Sequence, residues 1–251
     1  MKKWMGAVVV SMFAMTASSA PERLLVLRED QRPKAGELEL SVKGAMEEIK
    51  DGMLGLSTTD RWETSLGLRY GVTPNLSLRA SVPYVRLDPE FLDSESGLGD
   101  VRVGFELVTW RDIFDYPYVM PYAEVSFPTG DEDKGLGSGD TVPVVGLAAG
   151  STAWDNTHFV ADLRYEILPD ADNRFSGGLG VIHELSKQFA VSVEGLMTEK
   201  ESGMDRRPKL LVLGMAYKPT PRWQISVHAG KEYDGPRDSL GALKIAYTFS
   251  P

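Results

Sequence analysis

Three histidines are the only imidazoles in this 251-residue chain, and it has no cysteine. Acid–base or nucleophilic chemistry would have to gather around His158, His183 or His228. These lie on three different expected strands, and no Ser or Asp pairs with any of them in a recognisable hydrolase pattern. Zinc spacing, a phosphate loop and a thiol nucleophile are all missing. The acidic stretch DEDKGLGSGD offers Asp131, Glu132, Asp133 and Asp140 as oxygen ligands. Its spacing is not that of a calcium-binding helix-loop-helix, and it reads as a solvated loop. No enzyme, cofactor or metal is expected.

The remaining chemistry is charge, and it recurs with period two. Residues 62–84 read WETSLGLRYGVTPNLSLRASVPY. Trp62, Thr64, Leu66, Leu68 and Tyr70 alternate with Glu63, Ser65, Gly67 and Arg69; after a turn, Leu76, Leu78, Ala80, Val82 and Tyr84 alternate with Ser77, Arg79 and Ser81. Successive strand side chains point to opposite faces, so this is a hairpin with one apolar and one charged face. A soluble sandwich would turn the apolar face into a core; a membrane barrel would turn it out to lipid. Along the chain the other face receives Glu63, Arg69, Arg79, Arg102, Glu106, Glu124, Asp162, Arg164, Glu166, Glu194, His228 and Lys244. So many charges in a dry sandwich core would be heavily penalised by desolvation, whereas a wet lumen accommodates them.

The elements that carry these residues have the dimensions of membrane strands. Twelve strands are expected, near 37–48, 61–71, 76–86, 99–110, 117–127, 141–153, 157–167, 174–185, 189–199, 208–218, 223–233 and 240–249. Their length suits a tilted bilayer crossing. Short connections alternate with longer, Gly-rich and charged ones, as in barrels with trimmed periplasmic turns and long external loops. Trp110, Trp154, Trp223, Tyr70, Tyr118, Phe159, Phe189 and Tyr217 border the short turns; Trp62, Tyr84, Phe127, Tyr165, Phe175 and Tyr233 mark the opposite strand ends. That is the layout of two aromatic girdles. Trp110 and Trp154 fall on the inward register of their strands, which implies bulges or a change of register near the turns. The fold expected is an all-β, antiparallel, up-and-down transmembrane barrel of about 12 strands. VPVVGLAAG and LLVLGMAY are apolar on both faces and would suit any buried sheet.

Lys2 and Lys3, the apolar run from Trp4 to Ala17 and the small residues that follow read as a signal peptide over 1–19. Residues 20–36 form a periplasmic N-terminal segment, in which Leu24 to Leu27 suit a short strand, a plug or a loose tail, and 37–251 form the barrel. The formal net charge of -9 and a pI near 5.0 argue against a nucleic-acid partner. The final strand, LGALKIAYTFSP, alternates to a near-terminal aromatic, as the strand read by the bacterial barrel-assembly machinery does.

Two loops carry a family resemblance. Gly97-Leu98-Gly99-Asp100 opens a strand, and Phe127-Pro128-Thr129-Gly130-Asp131 is followed by Gly135-Leu136-Gly137-Ser138-Gly139. In this order they resemble the outer-membrane transporter family associated with the meta-cleavage pathway of phenol degradation. The resemblance implies a Gram-negative outer-membrane barrel passing small molecules, aromatic or hydrophobic compounds among them. On physical grounds these glycines permit tight reversals, and Asp100 and Asp131 suit the capping of turn amides. A porin-like passive channel is the first expectation, its charge preference set by inward Arg and Glu. The alternatives are a sealed structural or adhesive barrel, a soluble periplasmic ligand-binding β-protein, and a barrel hydrolase. Expected partners are outer-membrane lipid and lipopolysaccharide, the assembly machinery and a small-molecule cargo.

Overall fold

The computed structural model describes residues 22–51, 57–111, 117–154, 156–169, 172–199 and 207–250. The expected signal peptide lies outside them. Fourteen strands form one antiparallel sheet: β1 (Leu38–Asp51), β2 (Ser57–Gly71), β3 (Leu76–Pro89), β4 (Glu95–Leu98), β5 (Val101–Leu107), β6 (Trp110–Arg111), β7 (Tyr118–Phe127), β8 (Val142–Ala153), β9 (Thr157–Glu166), β10 (Arg174–Glu184), β11 (Phe189–Thr198), β12 (Lys209–Thr220), β13 (Trp223–Tyr233) and β14 (Arg237–Phe249). β4 and β5 both pair with β3, and β5 and β6 both pair with β7, so these three pieces make one barrel strand and the barrel has twelve. β1 closes on β14 from Leu38↔Phe249 to Ile49↔Arg237, which removes both sheet edges.

The period-two pattern resolves as an inside-out molecule. Leu66, Leu78, Val103, Leu213 and Val227 are exposed on the outer wall, while Glu63, Arg69, Glu106, Asp162 and Glu194 are buried inside. An exposed apolar belt this continuous requires lipid. From Trp223 to Tyr233, β13 rises about 33 Å along its own direction; at the usual ~45° tilt that is about 23 Å along the axis, close to the height of an outer-membrane apolar band. Outer aromatics cluster near the short turns, with Phe189 stacked on Tyr217 at 4.5 Å and Trp223 against Tyr247 at 4.8 Å.

Two expectations, on Tyr118 and on the loop lengths, need correction. Tyr118 is not a girdle residue: it faces inward, is 1% exposed and packs with Val108, Met120, Tyr122 and Ala148. Trp110 and Trp154 leave the inward register near the turns, where their positions in the sequence implied an irregularity. The strand breaks at Val108–Thr109, and Trp154 turns outward with φ 54°. The external loops are shorter than their sequence suggests, because β1, β2, β3 and β14 run on past the girdle. The connection between β13 and β14 is only residues 234–236. The polar, charged residues read there as loop pair as an extended ribbon, Lys50 meeting Asp238 at 2.7 Å.

The short turns are closed locally. The Thr73 hydroxyl accepts from Asn75 N and Leu76 N, and the Ser186 hydroxyl accepts from Gln188 N and Phe189 N. This is the side-chain turn chemistry that favours Ser and Thr at such positions.

Candidate functional site: the lumen and its plug

The described part of the N-terminal segment is inside the barrel. Residues 22–36 enter from the short-turn end beside Gly71, where a Cβ would collide with the Lys34 carbonyl, and Gly36 N donates to Gly71 O at 2.8 Å. Leu24 and Leu27 pack on Val160, Ile182 and Ala190 of one wall, and Leu25 and Val26 on Leu210, Val212 and Leu240 of another. The inward apolar residues of LLVLGMAY thereby acquire a reason: they are the socket for this strap. Burying Leu24 and Leu27 contributes about 1.5–3 kcal/mol each, and the half-buried Leu25 and Val26 add less.

Polar contacts fix the strap in place. The Glu194 carboxylate accepts from three successive amides, Leu25 N at 2.8 Å, Val26 N at 2.9 Å and Leu27 N at 3.0 Å. Arg28 N donates to Asp162 at 2.9 Å, and Tyr122 donates its hydroxyl to the same carboxylate at 2.7 Å. The Arg28 side chain lies over the Tyr122 ring and reaches Glu124 of the same strand at 3.0 Å and Glu106 of the adjacent strand at 3.5 Å. Arg23 pairs with Glu29 and Glu184, Arg164 donates to Val26 O, and Gln224 donates to Glu22 O. The strap thus touches the wall on all sides and crosses the short-turn half of the lumen.

Around it runs a buried ion network. Arg69 and Arg79 are direct cross-strand partners, a repulsive pairing on its own. Glu106, 1% exposed, sits between them, accepting from Arg69 at 3.0 Å, Arg79 at 2.7 Å and the Ser77 hydroxyl at 3.2 Å. Glu22 of the strap comes within 3.7 Å of both Arg79 and Lys244. Glu63 pairs with Lys43 at 3.1 Å and Arg61 at 2.7 Å, and Arg164 with Asp162 at 3.2 Å. These buried charges therefore meet their opposites, while Glu194 is satisfied by backbone amides instead, as low local dielectric demands.

Above the strap lies a water-accessible cavity of about 630 Å³. Arg69, Arg79, Arg102, Glu63, Glu124 and Arg164 line it. Glu106, Asp162, Glu194 and His228 instead belong to the packed layer below or beside it. Over its outer mouth the family-like loops interlock. Asp100 accepts from Gly130 N at 3.0 Å and from the Ser138 amide and hydroxyl, both at 2.7 Å. The Thr129 hydroxyl donates to Gly99 O and accepts from Val101 N, both at 2.9 Å. Leu136 drops onto Val85 where Gly97 and Gly99 leave room, and Gly130 crosses Gly137 too closely for a Cβ. Pro128 is exposed at the start of this loop. Asp131 does not cap with its side chain; its backbone carbonyl accepts from Leu136 N at 2.9 Å. Partial burial raises the Asp100 pKa, but the Ser138 and Gly130 donors outweigh it and hold the carboxyl below its ordinary value.

The histidines have partners that the sequence did not disclose. His158 Nδ1 meets the Thr152 hydroxyl at 2.9 Å, and its Nε2 meets Glu184 at 3.2 Å. His183 Nδ1 meets the Thr157 hydroxyl at 2.9 Å. His228 is buried, its Nδ1 converging with the Ser192 hydroxyl on the space above Gly214. The Thr152–His158–Glu184 row has the order of a relay, but Glu184 also holds Arg23, which ties the row to the strap. Among the described residues no group of three or more His, Asp or Glu is placed to hold a metal ion.

Comparison with known proteins gives the lineage. Residues 47–249 match the family model described as "Putative MetA-pathway of phenol degradation". No curated protein matches the sequence. Among solved structures, an outer membrane channel from Pseudomonas putida F1 superimposes with a TM-score of 0.74 at 14% identity, over 90% of this chain and 100% of that one. The KdgM and NanC porins each superimpose with a TM-score of 0.58, at 12% and 14% identity, over 84% of this chain and 99% and 100% of theirs. At such identities the likeness concerns the fold, and the fold is that of outer-membrane barrels. The family match runs through nearly all of the barrel, both glycine loops included, and the chain therefore belongs to the phenol-degradation MetA-pathway family.

Proposed function

We propose that the protein is exported to the outer membrane of a Gram-negative envelope, is assembled there by the barrel-assembly machinery, and is a passive channel for small molecules. Its external acidic loop would meet lipopolysaccharide through bridging cations. Water-accessible space of about 630 Å³, walled by charged side chains and bounded below by a strap of the same chain, is the observation that carries this reading. A purely structural barrel needs no such cavity. Inward Arg69, Arg79, Arg102, Glu124 and Arg164 set the charge preference, since fixed charges in a narrow bore select ions at close range. The superposition on an outer membrane channel supports the same reading. No catalytic role is proposed, because the imidazole–carboxylate row present among the described residues is engaged with the strap.

The strap is the gate in this proposal. The full mature chain in planar bilayers should give brief, small conductance steps, and a variant lacking residues 22–32 should give larger, persistent ones. The chain has no cysteine, so Leu27→Cys with Gly180→Cys forms a unique pair; the Leu27 side chain already lies 3.0 Å from a Cβ built on Gly180. Oxidation should silence the channel and a reductant should restore it. The buried strap also favours a second reading, a sealed barrel serving envelope structure. Silence from both the intact and the strap-deleted protein, each folded, would select that reading and overturn the first.

A further inference from the structure

One row of the inner wall is built differently from the rest. Ser81 of β3, Arg102 of β5 and Ser126 of β7 are direct cross-strand partners, and all three line the cavity. Neighbouring strands lie ~4.8 Å apart, so the row spans roughly 10 Å. Every other cationic side chain lining the cavity has a carboxylate within 3.7 Å. Arg102 has no such ion pair among the described residues, and it is exposed to the cavity. The acid just before its strand, Asp100, attracts Arg102 at longer range but makes its hydrogen bonds to Gly130 and Ser138. The hydroxyls of Ser81 and Ser126 likewise have no partner among the described residues. Three donors without a hydrogen-bond partner among the described residues therefore stand side by side in water-accessible space, where such a group is usually one whose partner is a ligand or solvent.

We infer that the Ser81–Arg102–Ser126 row is a binding station for a carboxylate, and that the channel's cargo is a small organic acid. A guanidinium presents parallel N–H groups that fit a carboxylate bidentately, and the flanking hydroxyls take its remaining lone pairs. The cavity also supplies a seat for an apolar body. Leu25 and Val26 of the strap, with Leu196, Leu210, Val142 and Val144 of the wall, line the same space. An acid with its head on Arg102 and a compact hydrocarbon body on the strap uses both halves. Carriage of that acid rests on the channel reading above; its binding does not.

Titration calorimetry on the full mature chain, folded in detergent, tests the station with benzoate, its neutral isostere benzamide, and inorganic phosphate. Benzoate should bind saturably and benzamide at least tenfold more weakly. Arg102→Gln should weaken benzoate at least tenfold, Arg102→Lys less, and Ser126→Ala about threefold. Arg86→Gln, at an exposed guanidinium paired with Asp88, should leave binding unchanged. Equal binding of benzoate and benzamide, or benzoate binding indifferent to both Arg102 variants in barrels that keep their heat-modifiable gel shift, overturns the station. Phosphate binding as tightly as benzoate overturns the organic acid as its ligand. Bilayer recordings separate this from the channel reading. Arg102-dependent benzoate binding in an electrically silent, strap-deleted barrel upholds the station while the channel falls. Benzoate current unaltered by Arg102→Gln in a conducting barrel overturns the station while the channel stands.

Discussion

Glu194 shows how a single residue holds the strap. Three consecutive backbone N–H groups converge on its carboxylate, and it is fully buried. Hydrogen bonds to a charged acceptor contribute about 1.5–3 kcal/mol each, roughly twice the neutral value. Glu194→Gln keeps one carbonyl acceptor but loses the charge and one oxygen, so the strap should dock about 1–3 kcal/mol more weakly. Faster amide hydrogen exchange at Leu25 to Leu27, with barrel strands unaffected, is the expected readout. Asp100 is the equivalent anchor for the external loop. Its pKa is lowered in the folded state, so its contribution is complete above the unfolded carboxyl value of about 3.9 and is lost as pH falls through the lower folded value. Protection of the Gly130 and Ser138 amides should hold at pH 6 and fade only in strong acid. In Asp100→Ala it should be absent at both.

Each strand carries two messages, one for lipid and one for the lumen, and β12 shows them at adjacent positions. Val212 is completely buried against the strap, while its neighbour Leu213 is 57% exposed on the outer wall. Val212→Arg should expel the strap and leave the barrel able to fold, because the lumen already hosts paired charges. Leu213→Arg should instead impair membrane assembly, at about 2–4 kcal/mol near the bilayer midplane. Heat-modifiability gels, read beside proteolysis of the strap, distinguish the two outcomes. β8 shows the complementary device. Gly146 and Gly150 leave the space that the Tyr122 and Tyr118 rings fill, so both small residues and both rings belong to one inward layer.

At the scale of the molecule, two independent systems hold the protein together. The wall is a closed hydrogen-bonded cylinder without an edge, which stabilises a chain that has no cysteine to form disulfides. The interior is a strap, an ion network and a cavity. Removing residues 22–32 deletes the strap but leaves the wall's ladder intact, and water can enter to solvate Glu194, Asp162 and Glu106. The deleted protein should therefore still migrate as a compact, heat-modifiable barrel, with a lower unfolding temperature than the intact one. A protein whose wall collapsed on strap deletion would place the strap within the fold's stability core rather than at a gate.

By itself the sequence determined the wall. Period-two alternation along Trp62–Tyr84, strand lengths near a bilayer crossing and aromatics at strand ends are local properties, and lipid enforces them one strand at a time. The strand positions, the closure to twelve and the outward face of Leu66 and Leu78 were legible for that reason. Glycine and aspartate at Gly99, Asp100, Gly130 and Gly137 marked turns, but their interlocking joins positions some thirty residues apart, which no local pattern encodes. Only the tertiary structure decided what fills the bore. Leu24 to Leu27 are too few to show a period, and their partners lie on β9 to β14, far along the chain. Once the wall closes, the inward apolar residues of β12 need something to cover them and the buried carboxylates need donors; the strap supplies both.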